Sequence, residues 1–144
     1  ASKGKSTITI IQPAGIVVRK PFDILHTSSG LHTLTNYIQS LEGETRAVIE
    51  CTGRYHEPVV RAFSNAGIFI SAVNPKLIKG QKDNSLRRVK SDPADARKIA
   101  RYALDNWADL RDYTPMDTVR YNLKTLHRQF HLSSKQKTAA NNNL

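Results

Sequence analysis

The chain has 144 residues, of which 39 % are apolar and 24 % are charged. This length accommodates one domain, or one domain with an extension, and the composition excludes wholesale disorder. The apolar runs are too short to span a bilayer, and the single cysteine, Cys51, excludes an internal disulfide and a cysteine-based zinc cluster.

The net charge of +10 is distributed unevenly along the chain. Residues 1–72 include 7 basic and 5 acidic side chains, whereas residues 73–144 include 15 and 7. A surplus of positive charge in one half favours a polyanionic partner, most often a nucleic acid. The alternative is an ordinary basic protein, since net charge reports on partners and not on the fold.

The first elements predicted are two strands and a helix. Residues 6–11 are β-branched and alternate, which predicts a strand, and residues 13–15 predict a turn. Residues 16–19, continuing towards Phe22, predict a second strand that is antiparallel to the first because the connection is short. A helix beginning at residues 28–30 follows, because its apolar residues recur three and four positions apart: Leu31, Leu34, Tyr37, Ile38 and Leu41.

The next elements alternate between strand and helix. Residues 46–50 predict a short buried strand, and residues 68–73 predict another, which ends at Asn74-Pro75. Strands that follow helices imply parallel pairing, so the chain is predicted to form a mixed α/β sheet with antiparallel strands on one side. The intervening helix begins at Pro58, ends at Gly67 and has the apolar face Val59, Val60, Phe63 and Ala66.

The last third of the chain is basic and helical. Residues 76–91 predict a partly loop-like basic segment, after which a helix runs from Asp92 to about Asn106. Beyond the break at Pro115, an amphipathic helix that can seed a coiled coil is predicted from Asp117. The apolar side of the first helix is Ala96, Ile99, Ala100 and Ala103; the second has Val119, Leu123, Leu126, Phe130 and Leu132 opposite Arg120, Lys124 and Arg128.

Three carboxylates are candidates for chemistry. Glu50 ends an apolar strand, where a carboxylate must be paired, protonated or bound to a cation; the competing interpretation is a salt bridge to Arg54. Asp92 and Asp95 lie at i and i+3 across a helix start and can bind a divalent cation through oxygen. Judged on these residues alone, a helix N-terminus is favoured instead, with Asp92 as the N-cap, Pro93 at the first helical position and Asp95 compensating the helix dipole.

Basic residues lie next to these carboxylates in the sequence. Arg87, Arg88 and Lys90 immediately precede Asp92, so a phosphate backbone can be brought beside acidic metal ligands, as metal-assisted phosphodiester chemistry requires. The alternative is a solvated loop. His56 is predicted to lie at the surface. The predicted nucleic-acid-binding residues are Arg54, Lys79, Lys82, Arg87, Arg88, Lys90, Arg97 and Arg101.

Several motifs in order resemble the DEDD transposases of the insertion-sequence-110 family, whose relatives include the Piv and MooV DNA invertases. The motifs are AVIECTGRYHEP at residues 47–58, Ala66-Gly67, Val73-Asn74-Pro75, and KSDPADAR at residues 90–97. The resemblance covers nearly the whole chain. It implies a ribonuclease-H-like (RuvC-like) mixed α/β sheet flanked by helices in residues 1–112, followed by the start of a helical, coiled-coil-like region in residues 113–144.

The resemblance also implies an activity: Mg²⁺-dependent or Mn²⁺-dependent cleavage and joining of DNA during transposition of an insertion sequence. Of the family's Asp-Glu-Asp-Asp tetrad, Glu50, Asp92 and Asp95 match the last three members, as catalytic and metal-binding residues. The first Asp of the family's pattern falls just ahead of Ala1, so we expect this chain alone to be inactive.

Partners and alternatives follow from the same resemblance. It implies DNA, both insertion-sequence ends and target, and it is compatible with a structured noncoding guide RNA. A full-length protein is expected to form a homo-oligomer in a bacterial-type cytoplasm, associated with the nucleoid and not with a membrane. The alternatives are a catalytically dead fragment that only binds DNA or RNA, a RuvC-type junction nuclease, and the remnant of a decayed gene.

Overall fold

A computed structural model describes residues 1–51, 53–79, 91–114 and 118–143. The chain divides into two compact units, Ala1–Tyr113 and Thr114–Leu144. In the first unit, strands and helices alternate after an initial hairpin, which confirms the predicted α/β class.

The first two strands form the predicted antiparallel hairpin. Strand β1 (Lys5–Gln12) pairs with strand β2 (Ile16–Leu25) across the short turn Pro13–Gly15. Ala14 and Gly15 both adopt positive φ in this turn, at 68° and 74°. The turn therefore suits Gly15 and strains Ala14, because only glycine adopts positive φ without a steric cost.

The next two strands form the predicted parallel pair. Strand β3 (Ala47–Glu50) and strand β4 (Ile70–Val73) are connected through helix α2 (Glu57–Asn65). Glu50 pairs with Val73 in the parallel register, and the Cys51 N–H donates to the Val73 carbonyl oxygen at 2.9 Å. Gly67, at φ 70°, follows the end of α2, as predicted.

The prediction of one mixed sheet is wrong for the described residues, which form two separate two-stranded sheets, β1–β2 and β3–β4. The sequence pattern predicts each strand from its own residues. It does not determine whether the edges of β1 and β3 come within hydrogen-bonding distance, because that depends on every element packed between and around them.

Helix α1 (Ser28–Gln39) begins with a local hydrogen bond and a close backbone approach. The Gly30 N–H donates to the Thr27 hydroxyl at 3.1 Å, which caps the helix. A Cβ at Gly30 would lie 2.5 Å from the Leu25 carbonyl oxygen. Glycine is therefore required at this position in the first turn of α1, where the helix approaches the end of β2.

The main core lies between the strands and two helices. Helix α1 contacts β2 and α2, and α2 contacts β4. Because all of these elements present apolar side chains to one another, they bury one continuous cluster. Its buried members are Leu34, Ile38, Ile49, Val59, Val60, Phe63, Ile68 and Ile70.

Two further helices complete the described part of the first unit. Helix α3 (Pro75–Lys79) lies where the sequence predicted a loop-like segment, and helix α4 (Asp92–Asp105) confirms the predicted one. Helix α4 contacts β1, β2, β3 and α3. Its buried residues Ala96 and Ala103 lie outside the main cluster, so α4 packs apart from α1 and α2.

The second unit contains one long helix, α5 (Thr118–Asn142). Its apolar side chains are exposed, with Phe130 at 69 %. In the described ranges of the chain, no helix is both long enough and apolar enough to cross a bilayer. The helix predicted from Asp117 is confirmed by α5, from Thr118 onward.

Candidate active site and nucleic-acid interface

Glu50 lies on the face of β3 turned away from the main core. Ile49 and Ala47 pack in that core, and successive side chains of a strand point to opposite faces. Val48 and Glu50 therefore share the other face. Helix α4 contacts β3 and contributes nothing to the main cluster, so Glu50 and α4 lie on the same side of this sheet.

Asp92 is not the N-cap of α4, which corrects the capping interpretation. Ser91 occupies that position, with φ −143° and ψ 149°, and its hydroxyl accepts a hydrogen bond from the Ala94 N–H at 3.4 Å. Asp92 is the first helical residue and Pro93 the second. The Ser91 hydroxyl caps the helix, so Asp92 is not needed for that role. Asp92 and Asp95 both remain in the first turn, where a carboxylate interacts favourably with the helix dipole.

The two aspartates differ in their surroundings. Asp92 is exposed, whereas Asp95 is half-buried, one position before the buried Ala96 and one helical turn before the half-buried Ile99. Residues three and four positions apart share a helix face. Asp95 therefore lies at the amino-terminal end of the packed face of α4.

Among the described residues, no three His, Cys, Asp or Glu side chains are grouped closely enough to hold a metal ion. Glu50, Asp92 and Asp95 consequently do not form a ready three-ligand cage. Their donor chemistry nevertheless fits Mg²⁺ or Mn²⁺, because these ions prefer oxygen ligands. Mg²⁺ also usually keeps several waters and takes only one or two protein carboxylates together with substrate phosphates.

Arg54 does not neutralise Glu50. The Arg54 side chain is exposed, and no ion pair joins it to Glu50. The prediction that Glu50 forms a salt bridge with Arg54 is therefore wrong. Arg54 remains available for contact with a phosphate.

The predicted nucleic-acid-binding residues fall into two groups. Arg54, Lys79, Arg97 and Arg101 are exposed, whereas Lys82, Arg87, Arg88 and Lys90 lie outside the described residues. The structure adds exposed Lys76 on α3, in a segment that was predicted to be partly loop-like. Proline at the first position of α3 was the signal available there.

The carboxyl ends of β3 and β4 bring several of these residues to one edge. Parallel strands end at the same edge of a sheet, and Glu50 pairs with Val73 at that end. The segment containing Arg54 follows β3, and α3, with Lys76 and Lys79, follows β4. Helix α3 also contacts α4. One edge of the β3–β4 sheet therefore combines a carboxylate with basic side chains, and we call it the carboxyl edge.

Cys51 is half-buried beside the candidate site. Burial raises the pKa of its thiol, and the neighbouring Glu50 carboxylate raises it further. A thiol with a raised pKa is a poor nucleophile, which favours a packing role.

His56 is buried, which corrects the prediction that it lies at the surface. Its side chain is 9 % exposed, and its Nδ1 has no hydrogen-bond partner among the described residues. Burial lowers the pKa of His56 from its ordinary 6.5, while the Glu57 carboxylate opposes that shift. Folding therefore favours the neutral form of this imidazole.

We expect the free energy of unfolding to fall as the pH is lowered through His56's ordinary pKa of 6.5. The unfolded chain then binds the proton more readily than the folded chain, so acid favours unfolding, by at most about 1.4 kcal/mol per pH unit for one group. Urea denaturation between about pH 7.5 and 5.5 measures this. His56→Leu should reduce the slope, whereas replacement of exposed His32 by Gln should not; equal slopes in all three proteins would contradict the assignment.

A family model described as a transposase, of the DEDD type and the IS110 family, matches residues 1–144. No curated protein matches the chain.

Proposed function

Because this chain belongs to the IS110 family of DEDD transposases, we propose that it forms the DNA-cleaving part of such an enzyme, with Glu50, Asp92 and Asp95 as metal ligands. The observation that carries the proposal is the position of Glu50 on the face of β3 that α4 shares. Capping by Ser91 supports it, since neither Asp92 nor Asp95 is then needed as the N-cap.

The acidic and basic residues of the carboxyl edge have different roles. Glu50 and Asp95 supply half-buried oxygen ligands, and Asp92 supplies an exposed one. Arg54, Lys76 and Lys79 bind and position the phosphate backbone. A bound Mg²⁺ or Mn²⁺ supplies positive charge to the scissile phosphodiester, which stabilises the charge that develops during in-line displacement.

We further propose that the fold belongs to the ribonuclease-H-like class and that the substrates are insertion-sequence ends and target DNA. The exposed basic residues of the described chain suit a second polyanion, such as a structured noncoding RNA, equally well. Three of the family's four carboxylates have counterparts in the sequence. We therefore expect these three residues to hold a metal ion beside bound DNA.

Titration with Mn²⁺ followed by NMR locates the metal site. Mn²⁺ is paramagnetic and broadens signals near it, so amides around Glu50 and Asp92–Asp95 should lose intensity first. Glu50→Gln should weaken the effect at both places. Glu42→Gln, at an exposed acid that precedes the amino end of β3, should leave it unchanged. Broadening centred on other acidic residues would contradict the proposed ligands.

A further inference from the structure

The segment between β3 and α2 contains a short turn that runs directly into α2. The Glu57 N–H donates to the Arg54 carbonyl oxygen at 3.2 Å, and the Val60 N–H donates to the His56 carbonyl oxygen at 3.1 Å. These hydrogen bonds attach the turn to the first turn of α2. Tyr55 occupies the second position of the turn.

The two rings in this turn have opposite environments. His56 is buried at 9 % exposure, whereas Tyr55 is 46 % exposed. The buried imidazole anchors the turn to the protein, and the phenol ring is presented to solvent. The Tyr55 ring makes no aromatic or cation–π contact with another described residue. An aromatic face is therefore held open on an anchored turn.

The charge around this ring favours a polyanion. Tyr55 follows exposed Arg54 at the carboxyl edge, where Lys76 and Lys79 on α3 are also exposed. A basic surface with an open aromatic ring matches the pattern by which proteins bind single-stranded nucleic acids: cations contact the backbone while aromatic rings stack on bases.

We propose that Tyr55 stacks on an unpaired base of DNA bound at the carboxyl edge, and that this edge takes an unpaired strand in preference to an intact duplex. The proposal rests on the proposed function, because it specifies the form of the nucleic acid at that same site. In a duplex both faces of each base are already stacked on neighbouring bases. A side chain can stack only where strand separation or a distortion exposes a base face.

Binding to two oligonucleotides tests this role. One is a dT strand of about 12 nucleotides, and the other is an abasic strand with the same number of phosphates. Tyr55→Ala should weaken binding of the dT strand about 5-fold to 150-fold, the range measured for loss of one base–aromatic contact. Binding of the abasic strand should not change. Tyr55→Phe should bind both strands as the unaltered chain does, because stacking needs the ring and not the hydroxyl.

Arg54→Ala provides a matched control from the neighbouring position. It should weaken binding of both strands and lower the slope of log K against log salt by about 0.7, the value for one phosphate contact on a single strand. Tyr55→Ala should leave that slope unchanged. Thermal unfolding of each variant confirms that the exposed substitutions leave the fold intact.

The results separate failure of this inference from failure of the proposed function. If Tyr55→Ala weakened binding of the dT and abasic strands equally, stacking would be overturned. Tyr55 would then contribute to contact with the nucleic-acid backbone. Unchanged binding of both strands would also overturn it, while nucleic-acid binding itself would stand. Absence of binding by the unaltered chain to either strand would overturn both the inference and the proposed nucleic-acid interface.

Discussion

Mg²⁺ is expected to raise the free energy of unfolding of this chain, and Asp95→Asn is expected to abolish most of the increase. A ligand that binds only the folded state stabilises it by RT ln(1 + [L]/Kd), about 1.4 kcal/mol at ten times Kd. For a chain of this size that corresponds to an increase in Tm of about 3–6 °C. Asp95 is half-buried on the packed face of α4, so its carboxylate is well placed to hold a cation against the fold.

The measurement compares thermal unfolding with Mg²⁺ and with an equal ionic strength of Na⁺. Asp95→Asn keeps the size of the side chain and removes its charge. Asp109→Asn is the matched control, because Asp109 is exposed in the short turn Trp107–Asp109 after α4. A Mg²⁺-dependent increase that survives in Asp95→Asn would return Asp95 to a purely structural role at the helix terminus.

Phe63→Ala is expected to cause the largest loss of stability. Phe63 is 4 % exposed on α2, within the main core, and its carbonyl oxygen accepts a hydrogen bond from the Ile68 N–H at 2.9 Å. Removing a buried phenyl ring costs transfer free energy and leaves a cavity, together about 3–5 kcal/mol. That is a large fraction of the roughly 5–15 kcal/mol that holds a domain folded.

Urea denaturation followed by circular dichroism measures this loss, and the chain contains its own control. Phe130, on α5, is the same residue type but 69 % exposed. Phe130→Ala should change the free energy of unfolding by less than about 0.5 kcal/mol. A similar loss of unfolding free energy in both variants would contradict the burial of Phe63 in the main core.

The arrangement of Glu50 and α4 depends on contacts between residues far apart in sequence. Arg46 illustrates how these contacts form: its guanidinium lies over the Phe69 and Trp107 rings at 4.9 and 4.7 Å, and its Nη1 donates to the Trp107 carbonyl oxygen at 2.6 Å. The Tyr113 N–H then donates to the Ile70 carbonyl oxygen at 2.7 Å. The segment after α4 is thereby tied to the start of β3 and to β4.

Features that depend on local pattern could be predicted from the residues alone. β-branched alternation in residues 6–11 and apolar spacing in residues 31–41 identified β1 and α1, and glycine after residue 66 identified the end of α2. The ordered motifs around Glu50 and Asp92 identified the family. Each of these signals requires only neighbouring residues, or motif order along the chain.

The tertiary structure decided what neighbouring residues leave open. It buried His56 and left Tyr55 exposed, although both follow the same strand in one polar segment. It separated the strands into two sheets and placed Ser91, not Asp92, at the N-cap of α4. Burial, strand pairing and the choice between adjacent capping side chains depend on what the rest of the chain packs against each position. That packing is a property of all the elements together, and local sequence pattern does not contain it.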